Sequence, residues 1–213
     1  MWKELRNSFI VLCTISIITG IIYPLLVAML AHLFFPKQAT GRPIYRGDEL
    51  VGSEWIGQQF SQPGYFWGRL SATSPMPYNA AASTGSNFGP EHPDLVKNAR
   101  ARLEQLRQYD NSIDRVPVDL VTSSASGLDP HISPAAAALQ MKRVAEARKI
   151  SAEVIYDLVR QHTEPRQFHL LGEPRVHVLK LNLALDRLSA QMIMESHNDT
   201  HATESGRTAR QSR

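Results

Sequence analysis

From Ser8 to Phe35 the chain reads SFIVLCTISIITGIIYPLLVAMLAHLFF, 28 positions without one charged side chain. At ~1.5 Å rise per residue, a helix over this run measures roughly 42 Å, against about 30 Å of hydrocarbon in a bilayer. No polar stripe interrupts it, as one would in a helix on the surface of a soluble domain. A cleaved secretory signal has an apolar stretch of about 7–15 residues closed by a small-residue cleavage site. Here the best such site, near Ala28, is followed by more apolar residues. The pattern predicts an uncleaved membrane-spanning helix over 8–35. Pro24 should kink it, because the ring removes a backbone donor and crowds the preceding turn.

Beyond this run the periodicity changes. Pro93 stands at a first-turn position, and Leu95, Val96, Ala99, Leu103 and Leu106 recur at helical spacing. Lys97, Arg100, Arg102, Arg107 and Glu104 are expected on that helix's solvated face. Ser133 followed by Pro134 and AAAALQMKRVAEARK predicts a capped second helix. A third begins at Ser151, with Val154, Ile155, Leu158 and Val159 forming one apolar face. Val116 to Thr122 reads as a short strand. In Arg175 to Asp186 the alternation of Val176 and Val178 breaks at Leu179, which fits a strand running into a helix. From Met192 onward no apolar face remains, so residues 192–213 are expected to be a disordered tail. The fold class expected is therefore α+β, as a compact domain over 36–191 behind one N-terminal spanning helix.

Composition sharpens two points. Residues 36–93 hold 15 of the chain's 25 Gly and Pro residues but also 8 of its 16 aromatics, so this is a folded, turn-rich segment and not a tether. Within it Tyr65, Phe66 and Trp67, with Trp55 and Phe60 upstream, are expected to fill a core. Lys plus Arg number 23 and Asp plus Glu 20, a net charge of +3, too small and dispersed for a nucleic-acid footprint. Cys13 is the only cysteine, so neither a disulfide framework nor a Cys-ligated zinc site is available. Lys3 and Arg6 precede the span, while Lys37, Arg42 and Arg46 follow it, diluted by Asp48 and Glu49. A short basic tail is retained inside and a long domain translocates largely regardless of its charge. The expected topology is a cytoplasmic tail at 1–7 and a main domain outside the cytoplasm.

The loop VTSSASGLDPHIS, residues 121–133, carries the most reactive-looking chemistry. Gly127 and the small hydroxyl residues can turn backbone N–H groups toward an anion, which makes Ser124, Ser126 and Gly127 candidates for a nucleotide contact. Asp129 and His131, with Ser126 nearby, have the residue types of a membrane-anchored serine hydrolase. No G-x-S-x-G elbow, Walker loop or G-x-G-x-x-G appears, and the histidines show no ligand spacing, so no metal site is expected. The plainer reading is a connection in which Asp129 braces a turn and Ser133 caps a helix. The loop YNAAASTGSNFGP, residues 78–90, is rich in amides and hydroxyls and suits a docking surface or an ordered loop.

Several of these segments together resemble a known family. GSEWIGQQF (52–60), YFWGRLSA (65–72), YNAAASTGSNFGP (78–90), PVDLVTSSASGLDPHISPAAA (117–137) and GEPRVHVLKLNLALD (172–186) follow the apolar anchor in order. In order and spacing they resemble the C subunit of the Kdp high-affinity potassium-transporting ATPase of bacteria, over about residues 5–190. Leu70, Phe88 and His177 depart from the family pattern. The resemblance implies a non-catalytic accessory subunit in the inner membrane, with its domain in the periplasm. It further implies partners: a channel-like potassium-conducting subunit, an ATP-hydrolysing P-type subunit and a small fourth subunit. A catalytic chaperone role, raising the pump's ATP affinity, also follows from it; ATP and potassium would be handled by the complex, with no cofactor in this chain. Gly20, Pro24, Asn79, Ser86, Asn87, Asp129 and His131 are the candidate partner-docking residues.

Overall fold

A computed structural model describes residues 1–111 and 113–211, with 195–211 described by backbone alone. It divides into two compact units, Met1–Glu54 and Trp55–Arg213.

In the first unit, Trp2–Phe34 forms a helical stretch of 33 residues, long and apolar enough to cross a membrane. It comprises α1 (Trp2–Ile17), a π-helical turn (Ile18–Ile22) and α2 (Tyr23–Phe34). The wide turn has a local cause. Pro24 cannot donate to the carbonyl four residues back, and the chain opens there so that Tyr23 N–H reaches the Ile18 carbonyl instead. Three polar side chains of the run bond to its own backbone. Thr14 and Thr19 hydroxyls donate to the Ile10 and Ile15 carbonyls, 2.8 Å each, and His32 Nδ1 lies 2.8 Å from the Ala28 carbonyl oxygen. A one-turn helix α3 (Pro36–Ala39) and an antiparallel hairpin follow, β1 (Pro43–Arg46) and β2 (Glu49–Ser53), with Arg42 and Glu54 ion-paired at 2.9 Å beside it.

The second unit packs helices on a small sheet. In chain order it holds α4 (Pro93–Arg107), α5 (Val118–Val121), β3 (His131–Ile132), α6 (Pro134–Arg148), α7 (Ala152–Gln161), β4 (Thr163–Glu164), β5 (Arg175–His177) and α8 (Val178–Gln211). The sheet order is β3-β5-β4, antiparallel throughout, with Ile132 and Thr163 both opposite Val176. Phe66, Leu106, Leu120, Ala136, Val144, Ile155, Val176, Leu181 and Leu185 are among the buried core. The N-caps are as expected: Ser133 Oγ accepts from Ala136 N–H and Ser151 Oγ from Val154 N–H.

Two expectations are corrected. Val116–Thr122 is not a strand; Pro117 opens the short helix α5, whose Asp119 is held by Ser133 N–H at 2.7 Å and Ser133 Oγ at 3.2 Å. Arg102 is not on a solvated face but buried. Helical backbone continues through Gln211, past the Met192 at which the apolar face ends. Propagation needs only one bond per residue once the packed turns of α8 are formed. Ser212 and Arg213 of the expected disordered tail lie outside the described residues.

The loop between β4 and β5 is braced by a two-oxygen contact of Arg166 with Glu173, at 2.8 and 2.6 Å. It holds Phe168 and Leu170 89% and 76% exposed.

Candidate functional site

Tyr65, Phe66 and Trp67 form the centre of the second unit, on a segment that no strand pairs with among the described residues. Buried main-chain groups must nevertheless be paired, and side-chain amides do it. Asn182 of α8 accepts from Phe66 N–H at 2.9 Å and donates to the Phe66 carbonyl at 3.0 Å. Gln140 of α6 accepts from Trp67 N–H at 2.8 Å and donates to the Trp67 carbonyl at 3.1 Å. Arg148 stacks on Tyr65 at 4.5 Å, donates to the Gly64 carbonyl at 2.7 Å and pairs with Asp186 at 2.7 Å. Trp67 is contacted by two further guanidiniums, Arg102 at 4.8 Å and Arg143 at 4.1 Å.

The 69–90 stretch and the 121–133 loop are laced together next to this centre. Ser71 Oγ accepts from Tyr78 N–H at 2.9 Å and donates to the Gly127 carbonyl at 2.7 Å. Thr84 N–H and Ser83 Oγ both donate to the Ser126 carbonyl at 3.0 Å. Gly127 sits at φ +68, and a Cβ there would lie 2.6 Å from Thr73 Cγ2 and 2.7 Å from the Thr84 carbonyl oxygen. Only glycine fits both the conformation and the space.

This packing bears on the nucleotide and hydrolase candidates. Ser124 N–H donates to the Leu70 carbonyl, Gly127 N–H to the Ser124 carbonyl and Leu128 N–H to Ser126 Oγ. These three donors are thus already engaged, two within the loop and one by Leu70. His131 and Asp129 do meet, Nδ1 to Oδ1 at 3.3 Å, with Asp129 also accepting from His131 N–H at 3.0 Å and from Arg69 at 3.2 Å. Burial pushes the Asp129 carboxyl up, but bonds from the His131 side chain and backbone and from Arg69 outweigh it and hold it below the usual carboxylate range. Among the described residues no serine hydroxyl bonds to His131, whose ring packs edge-on to His177 at 5.1 Å. Nor, among the described residues, does any group of three or more His, Cys, Asp or Glu side chains have an arrangement that could hold a metal ion.

The remaining candidates scatter. Asn79 caps the 3₁₀ turn Ala80–Ala82 and donates to the Ser74 carbonyl at 3.0 Å. Ser86 is half-buried and Asn87 exposed at φ +51. Gly20, with open space around it, and Pro24 belong to the other unit. Of the residues that organise the centre, Gln140, Arg143 and Asn182 escaped the sequence reading and Arg102 was assigned to the wrong face. Their signal was phase: Arg102 lies in register with Leu95, Ala99 and Leu106, and Asn182 with Val178, Leu181 and Leu185.

Residues 5–187 match the family model described as KdpC, the K+-transporting ATPase c chain. The chain belongs to the KdpC family. A protein of Methylococcus capsulatus named Potassium-transporting ATPase KdpC subunit is 54% identical over 189 residues, covering 88% of this chain and all of the relative. Proteins of the same name from Herpetosiphon aurantiacus and Burkholderia vietnamiensis are each 53% identical, covering 87% and 85% of this chain and 96% and 95% of their own. The KdpC match spans the apolar helix, the Tyr65–Trp67 centre and the 121–133 loop, and ends at Arg187 within α8. Subunits of this family are components of a transporter complex and not enzymes alone.

Proposed function

We propose that this chain is a non-catalytic accessory subunit of a potassium-importing P-type ATPase complex. The observation that carries this reading is the KdpC match over 5–187, which takes in both the apolar helix and the whole buried centre. In this reading the helix anchors the chain in the inner membrane, with residues 1–7 in the cytoplasm and the α+β domain in the periplasm. There it docks on a channel-like potassium-conducting subunit, within a complex that also holds an ATP-hydrolysing subunit and a small fourth subunit. The braced loop displaying Phe168 and Leu170 supports a docking role, since preorganised apolar side chains lose little freedom on binding. A domain separated from cytoplasmic ATP by ~30 Å of hydrocarbon cannot touch it. A catalytic chaperone effect on ATP affinity therefore passes through the spanning helix. The engaged donors of the 121–133 loop agree with that indirect route.

Deleting this chain tests the reading. Potassium-stimulated ATP hydrolysis should be lost in membranes, and the remaining subunits should separate on purification. An intact, active complex without it overturns the proposal.

A further inference from the structure

We infer that the cleft beside Arg102 binds a carboxylate. The cleft, about 290 Å³, has Arg69, Tyr78, Arg102, Gln105, Gln108 and Tyr109 in its lining. Its charge is unbalanced. Arg102 is 9% exposed, yet its guanidinium donates only to uncharged oxygens: Nε to the Leu120 carbonyl at 3.2 Å, Nη2 to the Gly68 carbonyl at 3.0 Å and Nη1 to Gln105 Oε1 at a marginal 3.5 Å. Arg143, on the same Trp67 ring, is 5% exposed and likewise has no carboxylate partner among the described residues, donating to the Pro63 carbonyl and to Gln140 Oε1. A third guanidinium, Arg69, pairs with Asp129 and donates to the Ser123 carbonyl, but its Nε is buried without a hydrogen-bond partner.

Burying cations without counter-charge is expensive, and long cationic side chains are seldom fully buried unless paired. A guanidinium offers five N–H donors, so Arg102 retains donors after its three contacts. What the cleft lacks is an anion.

The chemistry of the walls narrows the class. A planar carboxylate matches the guanidinium fork. Gln105 and Gln108 add amide donors, and the Trp67 and Tyr109 rings, both in the lining, give a short aliphatic stem an apolar surface. The volume lies near the lower end of ligand pockets, enough for a small acid or one acidic side chain. The carboxylate can come from either source: a free small acid, or a Glu or Asp of a neighbouring subunit. Only the second source rests on the function proposed above.

Calorimetric titration of the full-length chain in detergent with glutarate tests the site. Saturable one-site binding is expected, at least tenfold tighter than that of inorganic phosphate. Gln105→Glu places a carboxylate beside Arg102 from an exposed helix position; it should leave the protein folded and weaken glutarate at least tenfold. Absence of saturable binding, equal affinity in Gln105→Glu, or phosphate binding tighter than glutarate overturns the inference. Repeating the titration on the assembled complex assigns the source. Retained affinity identifies a free acid, and lost affinity, restored when the complex is dissociated, identifies a partner's side chain. The isolated-chain titration decides the site even if no complex forms.

Discussion

Asn182→Leu keeps a side chain of similar size in the core but leaves both the N–H and the carbonyl of Phe66 without partners. Each unpaired buried group costs about 1–3 kcal/mol, so the loss should be roughly 2–5 kcal/mol, read from the denaturant midpoint of the full chain in detergent. Unchanged stability would mean that Phe66 finds water instead. Asp129 sets a pH signature. Its carboxyl is held below the usual carboxylate range, so its contribution to stability is complete above the unfolded pKa and lost as pH falls through the lower folded one. The difference in thermal midpoint between wild type and Asp129→Asn should be constant above pH 5 and shrink below pH 4. At this scale the sequence was partly legible. Ser133 and Ser151 announce themselves because capping is local. Asn182 and Arg102 show only as polar residues in apolar phase; what they satisfy is a backbone segment more than thirty residues away, which no local window contains.

Elements read better than residues wherever their cause lies within their own few turns. The anchor, the helices from Pro93, Ser133 and Ser151 and the strand-to-helix passage at Arg175 were all evident from spacing. Val116–Thr122 was misread because apolar alternation over so short a run does not distinguish a strand from one helical turn, and Pro117 with Asp119 decides it. The π-turn at Ile18–Ile22 carries an element-scale prediction. Removing its cause with Pro24→Ala restores the missing donor and lets the turn close to an α-turn. Tyr23–Phe34 would then rotate by roughly 100° relative to Trp2–Ile17, one residue's worth of helix. The chain should still insert, while disulfide cross-links scanned along both halves should change phase across residue 20. An unchanged pattern would show that the wide turn does not depend on the proline.

For the molecule as a whole, the buried core falls entirely within Trp55–Arg213, and none of it comes from the apolar helix. Replacing residues 1–35 with a cleavable secretory signal should therefore release a folded periplasmic domain. Potassium-stimulated hydrolysis should not return, as fractionation and membrane ATPase assays would record. Activity restored by the free domain would make the anchor dispensable. The division between units was legible as a change from unbroken apolar sequence to mixed periodicity, although the hairpin at 43–53 falls with the anchor and not with the domain. Thr14, Thr19 and His32, closed onto their own helix, bear on biogenesis. A span that closes its threonine hydroxyls and one ring nitrogen of His32 onto its own carbonyls presents fewer open polar groups to the lipid, and can be inserted as a lone segment and wait there. The order in which the cell makes the other subunits is then not dictated by this helix.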